Sequence, residues 1–117
     1  MRTYQDIFTT VYNHLIEQGG QAVDAAGDCV YRAENGRRCA IGCLITDDAY
    51  DIKMENNNVG SRMVNPVLKK SNVSTSYRSL DFLYELQKAH DFHLRFNLPK
   101  FKRAMREIAK HYKLEMP

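Results

Sequence analysis

Residues Cys29 to Ile45, CVYRAENGRRCAIGCLI, hold all three cysteines, an Asn-Gly pair and the longest apolar run in a chain of 117 residues. Asn35-Gly36 is a strong short-range hairpin signal, because a two-residue turn of the favoured kind needs φ > 0 at both central positions. Its flanks, Cys29 to Ala33 and Arg37 to Cys39, then read as two short strands. A lone hairpin is marginal in water, so this one must lie against helices. From Cys39 the chain is apolar on all sides through Ala40-Ile41-Gly42-Cys43-Leu44-Ile45, which reads as a short buried helix. Small Ala40 and Gly42 let a neighbouring element come close, although Gly42 costs such a helix about 1 kcal/mol relative to Ala.

The helices around this segment announce themselves by period. Thr3 is a good N-cap, with Asp6 three residues on as an acidic variant of the capping box. Tyr4, Ile7, Phe8, Val11, Tyr12, Leu15 and Ile16 then follow one helical face, and Gly19-Gly20 ends it. Ser76 or Ser79 caps a second helix with Leu80, Leu83, Tyr84, Leu86 and His90 in its stripe. Asn97-Leu98-Pro99 opens a third, with Phe101, Met105, Ile108, Ala109 and Tyr112 toward the core. Asn65-Pro66 starts a short helix, and residues 51–62, rich in Asn, read as a loop or tether. No internal repeat is evident.

These patterns predict a mainly helical α+β fold. A small β-hairpin at about 29–39 packs on a bundle of three main helices, 4–18, 79–91 and 99–113, with short helices besides. The length suits a single domain over 1–117. A hydrophobic share of 44%, with five Phe and seven Tyr, supports a real core and excludes a disordered chain. No apolar span reaches membrane length and MRTYQDIF is no signal peptide, so the expectation is a soluble cytoplasmic protein without membrane contact. Three cysteines, an odd number, argue against a secreted disulfide framework.

Several constellations invite chemistry. Cys39 and Cys43 share a helical face, the hairpin brings Cys29 near, and His14, His90 or His93 could complete a Cys3His zinc site. The spacing C-x9-C-x3-C lacks the C-x2-C knuckle of structural zinc, so no metal is assigned. Cys39 or Cys43 paired with His90, and Asp91 or Asp81 behind it, would make a nucleophile, with Arg37 and Arg38 lowering the thiol pKa. The apolar run should instead bury these thiols and keep them protonated. The dipeptide His90-Asp91 also suits a metal phosphohydrolase, but the other histidine spacings do not fit. The reading is therefore no catalytic residue, no metal, no cofactor, and a protein that leans away from being an enzyme.

Charge is the remaining signal. Residues 1–58 carry five Lys/Arg against nine Asp/Glu, and residues 59–117 twelve against five. The positive charge gathers on the last helix and just before it: Arg95, Lys100, Lys102, Arg103, Arg106 and Lys110 are the candidate partner-binding residues, with Lys113 beyond. Such a surface suits a polyanion, and nucleic acid is one partner it could take. Against nucleic acid, the cationic face lacks interleaved aromatics and the rest of the chain is acidic.

The run Cys29-Val30-Tyr31-Arg32, Gly36, Cys39-Ala40-Ile41-Gly42-Cys43-Leu44-Ile45, then Asp48, Tyr50 and Asp51, resembles a group of small bacteriophage and bacterial proteins. Leu86-Gln87-Lys88-Ala89-His90-Asp91 matches a Leu-Gln-x-x-His-Asp run in that group. The resemblance implies a phage or prophage accessory protein and carries no activity to transfer. The expected function is binding to a host protein or complex without catalysis. Nucleic-acid binding through the last helix is the alternative, and a zinc or cysteine enzyme the second alternative.

Overall fold

A computed structural model describes residues 1–94 and 97–117. Four α-helices build it: α1 (Tyr4–Gln18), α2 (Asn65–Lys70), α3 (Tyr77–Lys88) and α4 (Leu98–Tyr112). Helix α1 begins where the sequence places it, with the Thr3 hydroxyl accepting the Asp6 N–H at 3.1 Å. Gly19, at φ 74°, ends it by donating to the Leu15 carbonyl. Ile7, Phe8, Val11 and Leu15 form its buried face. Aromatic rings join the three long helices: Tyr4 stacks on Phe82 at 4.5 Å, Phe82 meets Tyr112 at 4.8 Å, and Tyr12 lies 6.2 Å from Phe101. The Phe82–Tyr112 contact sets the end of α4 beside the start of α3, so the two run antiparallel.

The expected α+β fold is corrected here, because the described residues contain no strand. The predicted hairpin is instead the second of two tandem chain reversals, each with one isolated bridge, Val23 to Cys29 and Arg32 to Arg38. In the second, Gly36 N–H donates to Ala33 O at 3.1 Å and Ala33 N–H to Arg37 O at 2.8 Å. The loop is thus three residues, Glu34 to Gly36. Only Gly36 is left-handed, at φ 89°, so the Asn-Gly pair does not form the two-residue turn expected of it. The first reversal repeats this nine residues earlier: Gly27 N–H donates to Asp24 O, Asp24 N–H to Asp28 O, and Gly27 has φ 88°. Val30 N–H closes the first on Ala22 O and Cys39 N–H closes the second on Tyr31 O. A local structural repeat therefore exists where the sequence shows none, since a shared backbone path needs only a glycine in register.

Glu55 pins the joint between the reversals. Its carboxylate accepts the Tyr31 and Arg32 N–H groups at 2.8 and 3.1 Å and the Tyr50 hydroxyl at 2.7 Å. The segment expected as a tether, 51–62, is thereby tied down. It carries a short 3-10 turn (Ile52–Met54) that buries Met54 completely. The apolar run after Cys39 forms a 3-10 turn (Gly42–Leu44) against α1, with Ile41, Leu44 and Ile45 buried. Gly42 is there because a Cβ would run into the Tyr31 carbonyl.

Helix α3 ends in a widened π turn, Ala89–His93, where Leu94 N–H reaches back to Ala89 O at 3.1 Å. The helix expected at 79–91 is therefore an α-helix starting two residues earlier and continued by this turn. Gln21 donates to the His90 and Asp91 carbonyls at 3.1 and 2.7 Å, which satisfies backbone acceptors of the wide turn.

Two substitutions test this frame by chemical denaturation. Gly42→Ala should lower stability by about 3 kcal/mol, because the colliding atom is backbone and cannot swing aside. Glu55→Gln should cost roughly 1–3 kcal/mol, because an amide nitrogen in place of one oxygen meets a donor.

Candidate functional site

The three cysteines do not share one site. Cys39 is fully buried, its sulfur accepting the Gly42 N–H at 3.3 Å, and burial drives its thiol pKa upward. Cys43 donates to the Ala40 carbonyl at 3.1 Å, and burial pushes its pKa up to about 12 against the opposing pull of Arg2 and Arg38. Neither is an activated nucleophile, since the thiolate is the reactive form. Of the arginines expected to lower the thiol pKa values, Arg38 acts on Cys43 alone, and desolvation outweighs it.

Cys29 is the thiol the structure brings to a histidine. Its sulfur, one His90 ring nitrogen and one Asp91 carboxylate oxygen lie within 4.8 Å of one another. A first-reversal residue reaches α3 because the Val23–Cys29 bridge folds the chain back over the π turn. That contact was hidden in the sequence, which makes the later cysteines look nearer to the histidines. Cys29, His90 and Asp91 together could in principle hold a cation or relay a proton.

The hydrogen bonds of His90 decide against both. Ala22 N–H points at Nε2 at 3.0 Å, and a backbone amide can only donate. The Nε2 lone pair is thus in use, and the ring proton sits on Nδ1, which donates to Asp91 Oδ1 at 2.8 Å. No ring lone pair remains for a metal or for a thiol proton. The same Asp91 oxygen accepts from Gln87 Nε2 at 2.7 Å, while Gln87 Oε1 accepts the Ile41 N–H at 3.2 Å. His90 is completely buried and serves as a strut between the first reversal and the π turn. Asp81, the other proposed partner, is exposed at the α3–α4 groove and is not part of the Cys29, His90 and Asp91 cluster.

The cations of α4 form two groups. Lys100 and Arg103 line the groove against α3, whereas Lys102, Arg106 and Lys110 run outside it at i, i+4, i+8, with Lys113 just past the helix end as its C-cap. Arg95 lies outside the described residues. Arg106, Lys110 and Lys113 are exposed and Lys102 is half-buried; among the described residues none of the four forms an ion pair within 4.0 Å. Carboxylates gather elsewhere: Asp24, Asp28, Glu34, Asp47, Asp48 and Asp51 are exposed on the reversals and the loop after them.

Between α3 and α4 runs an open groove of ≈ 1180 Å³. Ala89, Ala104 and Ile108 line it, and Tyr84 and Phe92, both more than half exposed, rise from its α3 wall. Aromatics absent from the cationic face of α4 are therefore supplied by its neighbour, but in the groove and not beside the Lys102 row. Among the described residues no helix is long and apolar enough to cross a membrane. No family model, curated protein or solved structure matches this chain.

Native alkylation followed by mass spectrometry checks the thiol assignment: Cys39 and Cys43 should label slowly at pH 8 and fully after denaturation. Alkali gives a second readout. Their folded pKa values lie above the unfolded one, so the folded state resists losing these protons. Stability should hold below the free-thiol range, about 8.5, and fall as pH rises from there toward the folded values. Cys39→Ala should flatten part of that decline.

Proposed function

We propose that this protein is a non-catalytic binding module that docks on another protein, a host protein by the phage provenance that the resemblance implies. The row Lys102, Arg106, Lys110 and Lys113 supports this reading: four cations on one helix edge, none ion-paired among the described residues. Cations without an ion-pair partner among the described residues are available to an acidic surface of another molecule. The engagement of both His90 ring nitrogens favours binding over catalysis at the cluster where the sequence gathers chemistry.

An acidic protein surface suits this edge better than nucleic acid does. Base stacking needs aromatics beside the cations, and Tyr84 and Phe92 lie in the groove instead.

The test is affinity capture from host lysate with the wild-type chain and with Lys102→Glu/Arg106→Glu/Lys110→Glu. One specific protein should be retained by the wild type and lost by the triple variant. Reversing three contacts worth about 0.5–1 kcal/mol each should weaken that complex on the order of 100-fold. Capture that survives the reversal, or consistent failure to capture a protein, sinks the reading. A gel shift on DNA or RNA at physiological salt, abolished by the same variant, would replace it with nucleic-acid binding.

A further inference from the structure

The α3–α4 groove carries its charges in an order that a second copy of the chain would match. Because the helices are antiparallel, Asp81 and Glu85 of α3 share one half of the groove with Glu107 of α4. Lys88 of α3 shares the other half with Lys100 and Arg103. Tyr84 stands in the acidic half and Phe92 in the basic half, both largely exposed. Small Ala89 and Ala104 lie near the middle, where a partner helix could come close.

A two-fold axis through that middle lays each half on its opposite. Every carboxylate cluster then meets a cation cluster, twice by symmetry, and each Tyr84 approaches a Phe92. This is the self-complementarity an isologous interface requires. A nucleic acid would meet three carboxylates, and a peptide of one charge sign would match only half the groove. The Glu85–Lys88 pair, 3.2 Å apart at i, i+3, lies where the halves join and is well exposed, so little energy opposes its exchange for a partner across the axis. The exposed aromatic area explains what the contact would remove from water.

We propose that two copies of this chain pair through the α3–α4 groove into a two-fold symmetric dimer. None of Lys102, Arg106, Lys110 and Lys113 lines the groove, so the contact does not rest on the reading of that row. Pairing would display two such rows on one particle, which strengthens attachment to a multivalent partner.

The experiment measures mass in solution by sedimentation and by light scattering after gel filtration. The wild type at tens of micromolar should show twice the chain mass. A basic-half variant, Lys88→Glu/Arg103→Glu, and an acidic-half variant, Asp81→Lys/Glu107→Lys, should each run at the single-chain mass, because each sets like charges together. Mixed in equal amounts they should return to the double mass as a heterodimer, since both contacts are then opposite in sign. Circular dichroism confirms that these surface variants keep their helices, and Phe92→Ser, which keeps every charge, should also give the single-chain mass. A wild-type monomer, variants that stay paired, or a mixture that stays monomeric overturns the proposal.

Discussion

The structure depends on satisfying the backbone of residues 19–64, a stretch with no α-helix and no sheet ladder among its described residues. Buried N–H and C=O groups must be paired, and here the secondary structure pairs few of them. Side chains from the helices do it instead. Gln18 holds both the N–H and the carbonyl of Arg38, at 2.8 and 2.9 Å, and His14 adds a contact to the same carbonyl at 3.0 Å. Gln87 takes the Ile41 N–H, His90 the Ala22 N–H, and the Ser71 hydroxyl the Thr46 N–H. Glu55 serves from within the stretch. Each of these groups, deleted, leaves an unpaired buried partner, which costs about 1–3 kcal/mol against about 1 kcal/mol gained per bond formed.

That constraint separates what the sequence reveals from what it hides. Helices α1 and α4 are legible because cap, stripe and stop are local, within one or two turns of each other. Their observed bounds, Tyr4–Gln18 and Leu98–Tyr112, follow those signals closely. The reversals are half legible. Gly36 marks a turn, but whether its flanks extend into strands depends on a ladder of neighbours, and here helix side chains and Glu55 took the backbone donors first. The first reversal has Gly27 alone and no alternating flank, so it carries no strand signal at all. The π turn is invisible for a related reason: its extra residue is stabilised by Gln21, from an element nearly seventy residues away.

The candidate site was legible in its parts and not in its grouping. Residue type identifies the thiols, the His-Asp pair and the α4 cations, but their chemistry is set by which lone pairs and which faces remain available. His90 is the clearest case. From sequence it is a base or ligand in waiting; one backbone amide, Ala22 N–H, uses its acceptor nitrogen and turns it into a structural element. The α4 cations divide for a geometric reason. At about 100° per residue Lys100 and Lys102 point well apart, and Arg103 joins Lys100 in the groove while Arg106 stays outside it, so a single run of positive charge meets two different surroundings.

The two surfaces differ in what surrounds them, and that difference carries more weight than their charge. Among the described residues no ion pair within 4.0 Å engages the Lys102 row, so its field reaches into solvent and weakens with salt over about 10 Å. In the groove the charges alternate in blocks and largely cancel at a distance; attraction appears only on close, oriented approach. An arrangement of the first kind acts over distance with little regard for the shape of what approaches. The second selects a partner whose charge order is its mirror, and the groove itself has that order. An unpaired row and a groove of ordered charge therefore belong to one helix, which the core stripe of Phe101, Met105, Ile108 and Ala109 seats on the fold.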